Sequence, residues 1–152
     1  MRELSDTDLM ILPGYLHLSL CKAMAKKHVL IAAQNVSAYP LGAYTGEVAA
    51  DSIKDYEIDY VLIGHHERRL LHGENNDVIT EKCKHAEDCS LNIVYCVGED
   101  KEQREQEQTE QVKEAQLQSL IDAGVSDWSK CIIVYEPLWA MCTGIIASAD
   151  ET

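Results

Sequence analysis

The sequence predicts an α/β fold built on a parallel sheet, and three observations carry the prediction. Five short runs (Leu9 to Leu12, Val29 to Ala33, Tyr60 to Ile63, Ile93 to Val97 and Cys131 to Tyr135) are apolar at nearly every position, as strands covered on both faces are. Segments of helical length lie between them, which gives the βαβ order with its right-handed crossovers. Turn residues punctuate the runs: Pro13-Gly14 closes the first, Gly64 the third and Gly98 the fourth. A doubly wound sheet and a segment of a (β/α)-barrel both satisfy this pattern, and periodicity does not choose between them.

Each connecting element has its own warrant. After Pro13-Gly14, Leu16 to Lys26 reads as a helix with Leu16, Leu20, Ala23 and Met24 on one face. Ser37 to Gly46, with Pro40 and Gly42, reads as a loop, and Ala49 to Asp55 as a short helix. Asp77 to Asp88 reads as a helix capped by Asn76 or Asp77. Lys101 to Ala123 reads as one long helix closed by Gly124, with a polar, solvated first half. With no Phe anywhere and only 6% aromatic residues, aliphatic side chains must fill the core.

Composition narrows the function. The 152 residues carry 26 acidic and 13 basic side chains, a net charge of −13. Nucleic acid and anionic membrane surfaces demand clustered Lys and Arg, so neither is an expected partner. The length suits a single domain over residues 1–152. No stretch approaches the roughly 18 apolar residues of a membrane span. The polar, acidic Met1 to Asp8 lacks the apolar stretch of a signal peptide, so a cytoplasmic location is expected. Six cysteines without a C-x-x-C pair then read as free thiols.

In parallel α/β folds the functional groups sit at the carboxyl ends of the strands. Those ends carry Gln34 and Asn35, then Gly64 to Arg69, then Gly98-Glu99, then Glu136 to Trp139. His65 and Glu136 form the sharpest pair, because a carboxylate and an imidazole on one rim can divide proton abstraction and oxygen polarisation between them. A purely structural alternative stays open, with Glu136 paired to an Arg and His65 a satisfied strand-end histidine. His65-His66-Glu67 raises the question of a metal. Adjacent residues are expected to leave a strand end in different directions, and no H-E-x-x-H spacing exists, so no metal ligand is assigned. A P-loop and G-x-G-x-x-G are both absent, so no nucleotide cofactor has motif support.

Taken together the strand-end blocks resemble the triosephosphate isomerase family. Ala33-Gln34-Asn35 is similar to one strand end. Gly42-Ala43-Tyr44-Thr45-Gly46-Glu47 is similar to the family's interdigitating dimer loop. Ile63-Gly64-His65-His66-Glu67-Arg68-Arg69 is similar to a motif that usually has Ser where His66 stands. Cys96-Val97-Gly98-Glu99 and Tyr135-Glu136-Pro137-Leu138-Trp139-Ala140 complete the set, in order and correctly spaced from about Leu9 onward. The resemblance implies a (β/α)8 barrel, here strands two to six of it. It implies that Glu136 removes a proton from carbon, that a neutral His65 polarises the carbonyl oxygen and that Glu67 assists. A lid from Pro137 to about Ala147 would close over the substrate phosphate, with Cys142 at the position whose glycine normally brings its N–H to that phosphate. The implied reaction interconverts glyceraldehyde 3-phosphate and dihydroxyacetone phosphate through an enediolate. No cofactor or metal is implied, and a homodimer through the Thr45 loop is.

The chain also departs from the family. A full barrel has about 250 residues, and the blocks here omit the first strand, with its substrate-contacting Asn and Lys, and the last two, with their phosphate-gripping loops. Loss of one oxyanion donor typically costs on the order of 3 kcal/mol of transition-state stabilisation, so this chain alone is expected to be impaired. The alternative from a different class is a catalytically dead truncated barrel kept as an interaction or structural product. The lid reads Met141-Cys142-Thr143-Gly144-Ile145-Ile146-Ala147 where the family usually has Ile-Gly-Thr-Gly-Lys-Thr-Ala. Cys142 adds a side chain and restricts φ. Apolar edges at the Leu9 and Cys131 runs predict self-association.

Overall fold

Each of the five apolar runs becomes a strand, and all pair in parallel in sequence order. The computed structural model describes residues 8–141, 143, 144 and 146–148. The elements are β1 (Leu9–Ile11), α1 (Tyr15–Met24), β2 (Val29–Ala33), α2 (Ala50–Asp55), β3 (Tyr60–Ile63), α3 (His66–His72), α4 (Asn76–Asp88), β4 (Asn92–Val97), α5 (Lys101–Glu105), α6 (Thr109–Asp122) and, after a 3₁₀ turn at Trp128–Lys130, β5 (Cys131–Tyr135). The order β1-β2-β3-β4-β5 has no strand reversal. That excludes a doubly wound sheet, whose strand order reverses at a switch point, and leaves a curled half-barrel with flanking helices.

The register aligns the strand ends that matter. Ile63 lies beside Tyr95, and Val97 beside Tyr135. Behind the sheet, Ile79, Leu91, Ile93 and Leu120 are at most 1% exposed. Each such side chain contributes about 2 kcal/mol by leaving water. The cap of α4 is Asn75 and not the expected Asn76 or Asp77: the Asn75 side chain accepts from the Val78 N–H at 3.0 Å, and Asn76 is already helical.

Three further expectations need correction, and one helix was not expected. Burial on both faces holds for β4, whose last five residues are all buried, but Leu9, Ile11, Ile132 and Ile133 on β1 and β5 are 44–47% exposed. Among the described residues no strand pairs with the outer edge of either. In α1 the face with Leu16, Leu20, Ala23 and Met24 points outward, and Leu18 and Cys21 meet the core instead. Apolar residues surround this helix, so spacing alone does not select its inner face. The segment Lys101 to Ala123 is two helices. The first is a five-residue turn started by an Asp100–Gln103 capping box, and Glu107, at φ 57°, breaks the backbone before α6. Finally, α3 follows β3 directly. Gly64 takes the left-handed conformation (φ 80°) that lets the strand turn into a helix within two residues, and Gly73 (φ 66°) ends that helix.

Candidate active site

The sharp turn at Gly64 places His65 at the N-cap of α3, where its side chain replaces the usual Ser or Asp. The Glu67 N–H donates to His65 Nδ1 at 3.3 Å. Nδ1 is therefore an acceptor, and the ring proton sits on Nε2. That Nε2–H faces Glu136 Oε1 at 2.9 Å.

Glu136 reaches this point because β5 runs one residue past its last strand position: the Glu136 N–H donates to Val97 O at 2.7 Å. The carboxylate is only 9% exposed. Three donors converge on it. Besides His65, the His66 N–H donates to Oε2 at 3.1 Å, and His66 Nδ1 lies 3.1 Å from Oε1. A carboxylate only accepts, so His66 carries its proton on Nδ1. The two rings lie with centroids 4.4 Å apart. The expected divergence of adjacent residues thus does not hold for His65 and His66. One is the cap and the other the first helical residue, and that turn aims both rings at the same carboxylate.

The backbone beneath Glu136 is fixed from α6. Gln116 Oε1 accepts from the Gly98 N–H at 2.8 Å, and Gln116 Nε2 donates to Gly98 O at 3.0 Å. A Cβ on Gly98 would lie 1.9 Å from the carbonyl oxygen of Glu136, so the site exists only with glycine there. Cys96, from the same strand end, is fully buried, and burial followed by the neighbouring Glu136 pushes its thiol up to about 12.

A second polar cluster continues toward the segment that follows β5. Glu99, fully buried, accepts from the Tyr135 hydroxyl at 2.9 Å and pairs with Arg104 at 3.3 Å. Trp139 Nε1 donates to the Tyr135 hydroxyl at 3.3 Å, and the Arg104 guanidinium stands 3.8 Å above the Trp139 ring. The polar start of the long segment is thus not wholly solvated: α5 delivers Arg104 to buried Glu99 and the Trp139 ring.

A third network ties the rim together below β2 and β3. Glu74 accepts from Lys82 at 2.5 Å and from Arg68 Nε at 2.8 Å, and Lys82 also donates to Asn35 Oδ1 at 2.8 Å. Burial alone would raise the Glu74 carboxyl, but hydrogen bonds from Lys82 and Arg68 hold it below its ordinary value. Gln34 donates to Leu12 O at 2.9 Å, so Gln34 and Asn35 both serve structural bonds.

The structure therefore brings His65 and Glu136 together and places Glu67 on the opposite side of His65, with its exposed carboxylate 3.8 Å from Nδ1. Cys142 lies outside the described residues, as does Ile145. His66 and Gln116 were not among the expected site residues. The one signal for His66 was its departure from the usual Ser. Gln116 carried none, since its role depends on how α6 docks.

A curled parallel sheet with a carboxylate and an imidazole meeting at its carboxyl-terminal rim defines a (β/α)-barrel protein with the parts for acid–base chemistry. A family model described as triosephosphate isomerase matches residues 1–152, and the chain belongs to that family. It is 41% identical over 152 residues to the triosephosphate isomerase of Nitrosomonas europaea, covering 99% of this chain and 60% of that one. It is 36% identical over 147 residues to the Paracoccidioides lutzii enzyme, covering 96% and 59%. It is 36% identical over 152 residues to a cytosolic triosephosphate isomerase of Oryza sativa subsp. japonica, covering 98% and 60%. The chain thus spans about 60% of the length of the curated relatives it matches.

Proposed function

We propose that this chain carries the acid–base half of a triose phosphate isomerase site, interconverting glyceraldehyde 3-phosphate and dihydroxyacetone phosphate. The supporting observation is the approach of Glu136 Oε1 to within 2.9 Å of His65 Nε2 on the strand-end rim. Glu136 takes the proton from the substrate carbon next to the carbonyl. The C–H electron pair becomes the C=C bond of an enediolate, and the carbonyl pair moves to oxygen. His65 Nε2–H, fixed as the donor by the Glu67 N–H on the other ring nitrogen, faces that oxygen. Return of the proton to the neighbouring carbon completes the exchange.

In this reading the structure holds the base at rest. The imidazole donors occupy Oε1 of the carboxylate, so substrate must displace them before Glu136 attacks. Pro137 to Met141, wound by the Ala140 N–H to Pro137 O bond at 2.9 Å, forms the hinge of the covering segment. Glu67, through its N–H and its carboxylate, positions His65. Cys142 contributes to phosphate contact. The stacked Tyr39 and Tyr44, 4.5 Å apart, stiffen the Thr45 loop, through which we propose a homodimer in the cytoplasm.

The test is isomerisation by the purified protein, with Glu136→Gln beside it. Removal of a general base should lower the rate by about 10² to 10⁴. Equal rates in both proteins would refute the role of Glu136. Background rates in both would refute catalysis by this chain and favour the interaction or structural role.

A further inference from the structure

The convergence of two imidazoles on one carboxylate oxygen creates a donor set that proton transfer does not require. We propose that His65, His66 and Glu136 form a binding site for a divalent transition cation, zinc by its chemistry, which occupies the base and blocks it. The ligating atoms of the three residues all lie within 4.8 Å of one another. Glu136 Oε1 stands 2.9 Å from His65 Nε2 and 3.1 Å from His66 Nδ1. Zinc bonds to nitrogen and carboxylate oxygen are about 2.0–2.1 Å long, so the edges of a tetrahedral site are about 3.3 Å. The two edges to Glu136 Oε1 need shifts of a few tenths of an ångström, and the two imidazole nitrogens, within 4.8 Å of each other, close on the cation by rotation of their rings. Two imidazoles with one carboxylate suit zinc and its transition-metal neighbours, whereas magnesium and calcium prefer oxygen alone.

The surroundings are also those of a metal site. Oxygen Oε2 of Glu136 is already held by the His66 N–H at 3.1 Å, which leaves Oε1 as a single aimed ligand. His66 coordinates through Nδ1 with its proton moved to Nε2. His65 coordinates through Nε2 with its proton on Nδ1, giving up the 3.3 Å bond from the Glu67 N–H. The Glu67 carboxylate, 3.8 Å from Nδ1, takes that proton as a hydrogen bond, the carboxylate–histidine–metal arrangement. The ring side chains are 26% and 19% exposed and that of Glu136 10%, so the ligands are shielded and the fourth position opens on the rim.

The experiment uses purified, metal-free protein and zinc chloride, competed against a chromophoric chelator, with cobalt(II) as the spectroscopic probe. The expected result is one zinc per chain in the micromolar range and four-coordinate cobalt bands without a thiolate charge-transfer band. His66→Ser should weaken binding at least about tenfold, since even a second-layer partner is worth that much, and His28→Ser should leave it unchanged. Glu136→Gln, which preserves volume, repeats the test if His66→Ser fails to fold. The proposal is overturned by the absence of one-to-one binding, by a thiolate band that assigns the metal to cysteine, or by affinity indifferent to both substitutions. No substrate enters the measurement, so its failure leaves the isomerase reading untouched.

Discussion

Gly98→Ala is the sharpest perturbation of this molecule. The added Cβ would lie 1.9 Å from the carbonyl oxygen and 2.9 Å from the carbonyl carbon of Glu136, where real Cβ contacts stay beyond 3.0 Å. The clash is with backbone, so rotamer changes do not relieve it. The ends of β4 and β5 must part by more than an ångström. The parting breaks the 2.7 Å bond from the Glu136 N–H to Val97 O and strains both Gln116 bonds to Gly98. Overpacking of this kind costs about 1–3 kcal/mol, and the broken Glu136 N–H bond adds about 1 kcal/mol. We therefore expect a loss of about 3 kcal/mol in urea unfolding. A 1 Å misplacement of a reacting group costs on the order of 10² in rate, so the isomerase activity proposed above should fall further than the folded fraction does. Gly14→Ala is the matched control, because nothing lies within 4 Å of its added Cβ and its φ is −60°. If Gly98→Ala unfolds within 0.5 kcal/mol of the parent, on the order of the scatter among neutral surface changes, the proposed contact between the two strand ends does not constrain the base.

Three further outcomes follow from the same geometry. Lys82→Met leaves Glu74 buried with Arg68 as its one remaining cation, and should cost about 3 kcal/mol in urea unfolding; an unchanged midpoint would mean that Arg68 alone neutralises Glu74. Because Glu74 is held below its ordinary value, its stabilisation is complete above the ordinary carboxylate range and disappears as pH falls through the lowered value. Glu74→Gln should therefore flatten the acid limb of a stability–pH profile, and a parallel limb would refute this assignment. Cys96, fully buried and with its thiol pushed up to about 12, should react with iodoacetamide at pH 8 only on unfolding; modification of the native protein as fast as of the unfolded chain would contradict its placement.

Sequence reasoning reaches what local patterns encode. The five strands were legible because the apolar runs end at turn residues or polar strand ends: Pro13-Gly14, Gly64 and Gly98 close three of them, and Gln34 and Glu136 follow the other two. His65 and Glu136 were legible because strand ends in parallel folds face one rim. What it missed depends on tertiary contact. The break at Glu107 has no signal in a run of Glu and Gln, since a left-handed non-glycine residue is not written in composition. The inner face of α1 is ambiguous because Leu16, Leu18, Leu20 and Cys21 cover several sides of it. The meeting of His66 with Glu136, 70 residues away, requires the β3–α3 turn and the β4–β5 register together.

Gln116 has one more consequence. Its amide accepts from the N–H and donates to the C=O of a single residue, as a neighbouring peptide group in a sheet would. One side chain from a helix thus acts as a surrogate strand, satisfying the end of β4 where no further strand residue stands beside it. Neither Glu, which cannot donate when ionised, nor Lys, which cannot accept, can replace it. The sheet can therefore stop at Gly98 without leaving polar backbone bare, and the glycine, with no side chain, lets the Glu136 backbone pack directly against it.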